Sequence, residues 1–127
     1  GAGVWVTPSS GIIFTHRSPA GTTTLTDVSA GKVSPYWVKL TRTVSNSFSA
    51  YYSADGTTWT QLGVSRTLSM PTGAAGVQMG LAVTSGTSGI LSNAVCSNVT
   101  ATPQNDPMVT ERRHMRSRAC AGFVTST

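Results

Sequence analysis

A chain of 127 residues suits one domain with one core, and 10% charged residues with a net charge of +5 leave little for a highly charged surface. Ser, Thr and Gly dominate while the helix fillers Glu, Lys and Gln are scarce, which argues against a helical bundle and for pleated strands. No run reaches the apolar length of a membrane-spanning helix, no secretory leader is visible, and Cys96 and Cys120 could pair but are too few for a disulfide framework.

In chain order, Val4-Trp5-Val6 reads as a short strand, Pro8-Ser9-Ser10-Gly11 as a turn, and Ile12–Arg17 as a second strand. Thr22–Val28 is β-prone through its threonines, ended by Ser29-Ala30-Gly31. Then comes the strongest signal, PYWVKLTRTVSNSFSAYYSADGTTWTQLG, from Pro35 to Gly63. It reads as a three-strand meander over Tyr36–Thr43, Phe48–Ser53 and Thr58–Leu62. Asp55-Gly56 between alternating runs is a hairpin signal, because Gly accepts the positive φ that such turns need. Period two sets Tyr36, Val38, Leu40, Phe48 and Tyr52 on the face expected to be core, and Trp37 and Tyr51 on the other. In the turn, Asp55 is expected to accept hydrogen bonds from backbone amides, with Trp59 packed beneath.

Beyond the meander, Thr67–Met70 reads as a short strand stopped by Pro71. Val77–Ser85 alternates with Val77, Met79, Leu81 and Val83 on one face, and Leu91–Thr102 is the last predicted strand. After Pro103, PQNDP is linker-like, and Glu111–Arg118 lacks an apolar helical stripe. The expectation is a sandwich over residues 1–102 and a linker-like basic tail over residues 103–127.

PYWVKLTR, FSAYYSADGTTWTQLG, VQMGLAVTS and the closing SNVT, in that order, resemble the C-terminal part of bacterial concanavalin A-like, LamG-like jelly-roll modules; VWVTPSSGIIFTHRSPAGTTT fits ahead of them. The resemblance covers about residues 4–102. It implies an antiparallel β-sandwich of jelly-roll type, incomplete at its N-terminus, with unpaired strand edges through which it associates. Without an initiating Met, the chain is expected to be a fragment or a processed product. The family's closing strand usually carries an aromatic and then an acid before Asn-Val, where this chain has Cys96-Ser97. The resemblance further implies a non-catalytic accessory module of a secreted bacterial protein, extracellular or at the cell surface, that binds carbohydrate or a surface glycan. It also leaves room for calcium, although the acids are too few for a carboxylate cage.

The residues themselves argue against most catalysis. Glycosidic hydrolysis needs two carboxyl groups roughly 5–9 Å apart. The acids Asp27, Asp55, Asp106 and Glu111 are scattered, with no two at alternate positions of one strand. No G-x-S-x-G and no zinc-ligand spacing occurs, so neither catalytic nor metal-ligating residues are assigned. His16 reads as a surface strand residue or turn anchor, although a Ser–His hydrolase site formed in space stays open. The Arg112–Arg118 cluster has no accompanying RNA-binding motif, so no nucleic-acid partner is expected. For a glycan, whose C–H faces lie on aromatic rings, the candidate residues are Trp37, Tyr51 and Arg42 from the meander strands and Asp55 and Asn46 from its turns. The competing reading is a structural or adhesion spacer with no small ligand.

Overall fold

The structure is a computed structural model that describes residues 1–19, 21–43, 45–70, 77–85, 87–102, 111–117 and 121–126. Every helix or strand among them is a strand: β1 (Ala2–Val6), β2 (Ile12–His16), β3 (Leu25–Ser29), β4 (Tyr36–Arg42), β5 (Ser47–Ser53), β6 (Thr60–Thr67), β7 (Val77–Ala82), β8 (Cys96–Thr102), β9 (Glu111–Ser117) and β10 (Ala121–Ser126). They form two antiparallel sheets, ordered β3-β2-β1-β10-β7 and β6-β5-β4-β9-β8. Each is built on a meander of three consecutive strands, β1–β3 and β4–β6.

The sheets face each other across one core. Ala2, Val4 and Val6 of β1 alternate inward with Ile12 and Phe14 of β2, opposite Val38 and Leu40 of β4, Phe48 and Ala50 of β5, and Leu62 of β6. Phe14, Phe48, Ile12, Val4 and Val38 are fully buried, each stabilising the fold by about 1.5–3 kcal/mol. A chain whose alternation buries one face per sheet fits two stacked layers, a β-sandwich.

Several expectations change. Thr67 ends β6, so no separate strand covers residues 67–70; Leu68 and Met70 instead cap the core from a loop. On β7, Met79 packs on the core, whereas Leu81 is exposed, as is Val83 just beyond the strand. Residues 111–117 and 121–126, read as tail, are strands: β9 lies between β4 and β8, and β10 between β1 and β7. Sheet pairing runs through backbone groups that every residue but proline carries, so a segment without apolar alternation can still sit between two strands. The expected boundary at residue 102 therefore does not divide the sheets. The linker PQNDP lies outside the described residues.

Candidate functional site

The outer face of the β4–β6 meander gathers aromatic side chains. Because paired residues of an antiparallel ladder share a face, the register Trp37↔Ser53, Lys39↔Tyr51 and Tyr51↔Gln61 sets Trp37, Lys39, Tyr51 and Gln61 together. Lys39 Nζ lies 4.7 Å from the Tyr51 ring centroid and 4.2 Å from that of Trp59. Such cation–π contacts contribute roughly 0.5–1 kcal/mol each at exposed sites. The result is a partly exposed patch of three aromatic rings and one ammonium group.

The β5–β6 turn borders this patch. Ser53 Oγ and the Thr57 and Thr58 amides all donate to Asp55 Oδ1 at 2.8 Å, and the Gly56 amide donates to Ser53 Oγ at 2.9 Å. The Thr58 and Thr57 amides, then the Ser53 hydroxyl, hold the Asp55 carboxyl well below the usual carboxylate range. Gly56 has φ of 80°, and a Cβ there would lie 2.7 Å from the Trp37 indole. It is thus Trp37 that packs against the turn glycine, where Trp59 was expected beneath the hairpin.

Arg42 and Asn46 sit at the other end of the hairpin. Arg42 donates through Nε and Nη2 to Asn46 Oδ1, at 2.9 and 2.7 Å. Asn46 takes a left-handed φ of 56° in the β4–β5 turn. Arg42 shares the strand parity of Val38 and Leu40, and it lies five positions on from Trp37, roughly 16 Å along a strand. The five candidate residues therefore do not form one site. Trp37 and Tyr51 share the outer face with Asp55 in the adjoining turn, while Arg42 and Asn46 pair with each other elsewhere. Lys39 and Trp59, missing from the candidates, complete the patch; Lys39 was legible by its parity with Trp37.

The candidate for Ser–His chemistry is built differently from its expectation. His16 continues the inward parity of Ile12 and Phe14 and is 5% exposed, not on the surface. Its Nε2 lies 3.5 Å from Asp27 Oδ2 and has no hydrogen-bond partner among the described residues. Burial, and then the Arg66 charge, lower its pKa below the usual value of 6.5, against the opposing pull of Asp27. A cavity of about 290 Å³ lies beside it, lined also by Ser18 and Ser65. Ser18 Oγ accepts the Ser69 amide at 2.6 Å, and Ser65 Oγ meets Ser49 Oγ at 2.7 Å. Among the described residues no serine hydroxyl bonds His16, so the nucleophile–base pair such chemistry requires is not formed there.

No group of three or more His, Cys, Asp or Glu residues able to hold a metal ion occurs among the described residues, so they do not fit a calcium cage. Cys96 is disulfide-bonded and packs against the core at the start of β8; Cys120 lies outside the described residues. No helix among the described residues is long and apolar enough to cross a membrane. No protein-family model matches the chain, and no curated protein or solved structure matches it.

Proposed function

We propose that this chain is a non-catalytic module that binds carbohydrate or a surface glycan through the outer face of the β4–β6 meander. In this reading the sandwich is of the concanavalin A-like jelly-roll type and works as an accessory part of a secreted bacterial protein, outside the cell. The observation that carries it is the gathering of Trp37, Tyr51 and Trp59 around Lys39 on a partly exposed sheet face. Aromatic rings offer apolar surface to sugar C–H groups, and a neighbouring ammonium donates hydrogen bonds to hydroxyls or carboxylates. Arg42 and Asn46 have no part in the site; Asp55 supports it by shaping the turn that Trp37 packs against.

The spacer reading has one observation in its favour: Lys39 already caps the rings of Tyr51 and Trp59. A ligand stacking there must displace or share that ammonium. Glycan-array binding by the full chain separates the two. Binding that falls at least tenfold in both Tyr51→Ala and Trp59→Ala supports glycan recognition by this face. Binding unchanged by either substitution, or no binding to any glycan, leaves the spacer.

A further inference from the structure

The opposite sheet carries a second concavity. Trp5 of β1 and Ile13 of β2 alternate outward from core neighbours, and with Val6, Pro8 and Ala82 they line a cleft of about 620 Å³. It runs from Thr24, just before β3, past the β1–β2 loop to Thr84 and Ser85 beyond β7. Small-ligand sites typically span roughly 300–1,000 Å³.

The cleft is held in shape by its own hydrogen bonds. Trp5 Nε1 donates to Thr15 Oγ1 at 2.9 Å, which fixes the indole on the outer face of the sheet. Thr7 Oγ1 donates to the Gly11 carbonyl at 2.7 Å and accepts the Ser10 amide at 3.0 Å, so one side chain braces the loop that forms the wall. A site ordered before its ligand arrives loses less entropy on binding.

Its chemistry narrows the ligand. Among the described lining residues none is charged or titratable, so these residues offer no ion-pair partner to a phosphate, carboxylate or ammonium. The indole, Pro8 and Ile13 supply apolar surface. Ser9, Ser10 and Thr24 are exposed along the rim, and each hydroxyl both donates and accepts. A fatty chain would make no use of these hydroxyls, and a polyanion would find no cation among the described lining residues. A ring with apolar C–H faces and an edge of hydroxyls matches both surfaces.

We propose that the Trp5 cleft is a binding site for an uncharged oligosaccharide, with one sugar ring against the indole and its hydroxyls paired to the Ser9–Ser10 and Thr24 rim. It lies on the other sheet from Lys39, so it goes beyond the meander reading and stands apart from it.

The test is isothermal titration of the full chain with the hexasaccharides of cellulose, mannan, galactan and xylan, alongside hexagalacturonate and octanoate. The expected result, read in the Tyr51→Ala background so that the meander face does not contribute, is saturable binding of at least one neutral hexasaccharide, weakened at least tenfold when Thr24→Arg is added. Thr24 is exposed, so its replacement puts charge and bulk at the rim without disturbing the core. Trp5→Ala is expected to lose the same binding; should it fail to fold, Thr24→Arg still reads the site. The proposal is overturned if no neutral hexasaccharide binds, if Thr24→Arg leaves binding intact, or if hexagalacturonate or octanoate binds more tightly. Binding abolished by Tyr51→Ala but untouched by Thr24→Arg would overturn this site while supporting the meander face.

Discussion

Arg66 of β6 donates through Nη2 to both carboxylate oxygens of Asp27 on β3, at 3.0 and 3.1 Å. Both strands are sheet edges, so this bond ties the margin of one layer to the margin of the other. Gly63 lets the strands approach: a Cβ there would lie 2.7 Å from Asp27 Cγ, and its φ is 68°. Asp27→Ala is expected to lower unfolding stability by about 1–2 kcal/mol, the value of charge-assisted hydrogen bonds discounted for partial exposure. Gly63→Ala is expected to cost about 1–3 kcal/mol through the left-handed backbone and the clash. In the double variant the contacts with Cγ and Oδ2 are gone, while the 3.0 Å approach to Cβ and the backbone strain stay, so the two losses should sum to more than the measured one. Urea denaturation of the four proteins checks it.

The same corner makes stability depend on pH. Burial and Arg66 lower the pKa of His16 in the folded state below its ordinary value of 6.5. As pH falls beneath that value the unfolded chain takes up a proton that the folded chain resists, so stability declines until the folded pKa is passed. The urea midpoint is expected to be lower at pH 5 than at pH 7.5. His16→Gln should flatten the curve in this window. An equally steep decline in the variant would assign the effect to another group.

Much of the β4–β6 meander was legible because its large side chains follow one rule, while the small Ser49 and Ser53 are buried against it. Period two from Tyr36 to Leu40 and from Phe48 to Tyr52 separates inside from outside, and Asp55-Gly56 marks the turn between β5 and β6. His16 obeyed the same rule, in step with Ile12 and Phe14, but a titratable side chain suggested the surface. It is buried beside Asp27, which Arg66 reaches from 39 residues away, a contact no local pattern encodes. Arg42 was misplaced for a related reason: parity points it toward the core side at the strand's end, where Asn46 in the turn satisfies it. β9 and β10 carried no signal, because they enter the sheets by backbone pairing and lack clear alternation.

The β5–β6 turn should be intolerant at Gly56 for two reasons that act together. Any side chain there must adopt a φ of 80°, and its Cβ would press on Trp37. Gly56→Ala is expected to destabilise by about 1–3 kcal/mol and to shift the tryptophan emission as the Trp37 indole is displaced. Asp55→Ala removes the acceptor of three hydrogen bonds and should loosen the same turn. Its folded pKa is depressed, so its contribution is present above the ordinary value of 3.8 and lost as pH falls through the folded pKa. Thermal melts at pH 7 and pH 2.5 should differ less for Asp55→Ala than for the parent. A parent-like spectrum and melt for Gly56→Ala would contradict the packing of Trp37 on the turn.

Phe14 and Phe48 test whether the layers share one core. Both are fully buried, one in each sheet. Truncation to Ala is expected to cost about 3–5 kcal/mol at either position, from lost transfer energy and the cavity left behind. Small domains are stable by only about 5–15 kcal/mol, so each variant should lose roughly a fifth or more of the total. The decisive readout is where the loss is felt. If the inner faces support each other, Phe14→Ala should lower amide protection in β4–β6 as much as in β1–β3, because opening either layer exposes both. Protection that falls in β1–β3 alone would mean that the two meanders are held separately, and the shared core would have to be abandoned.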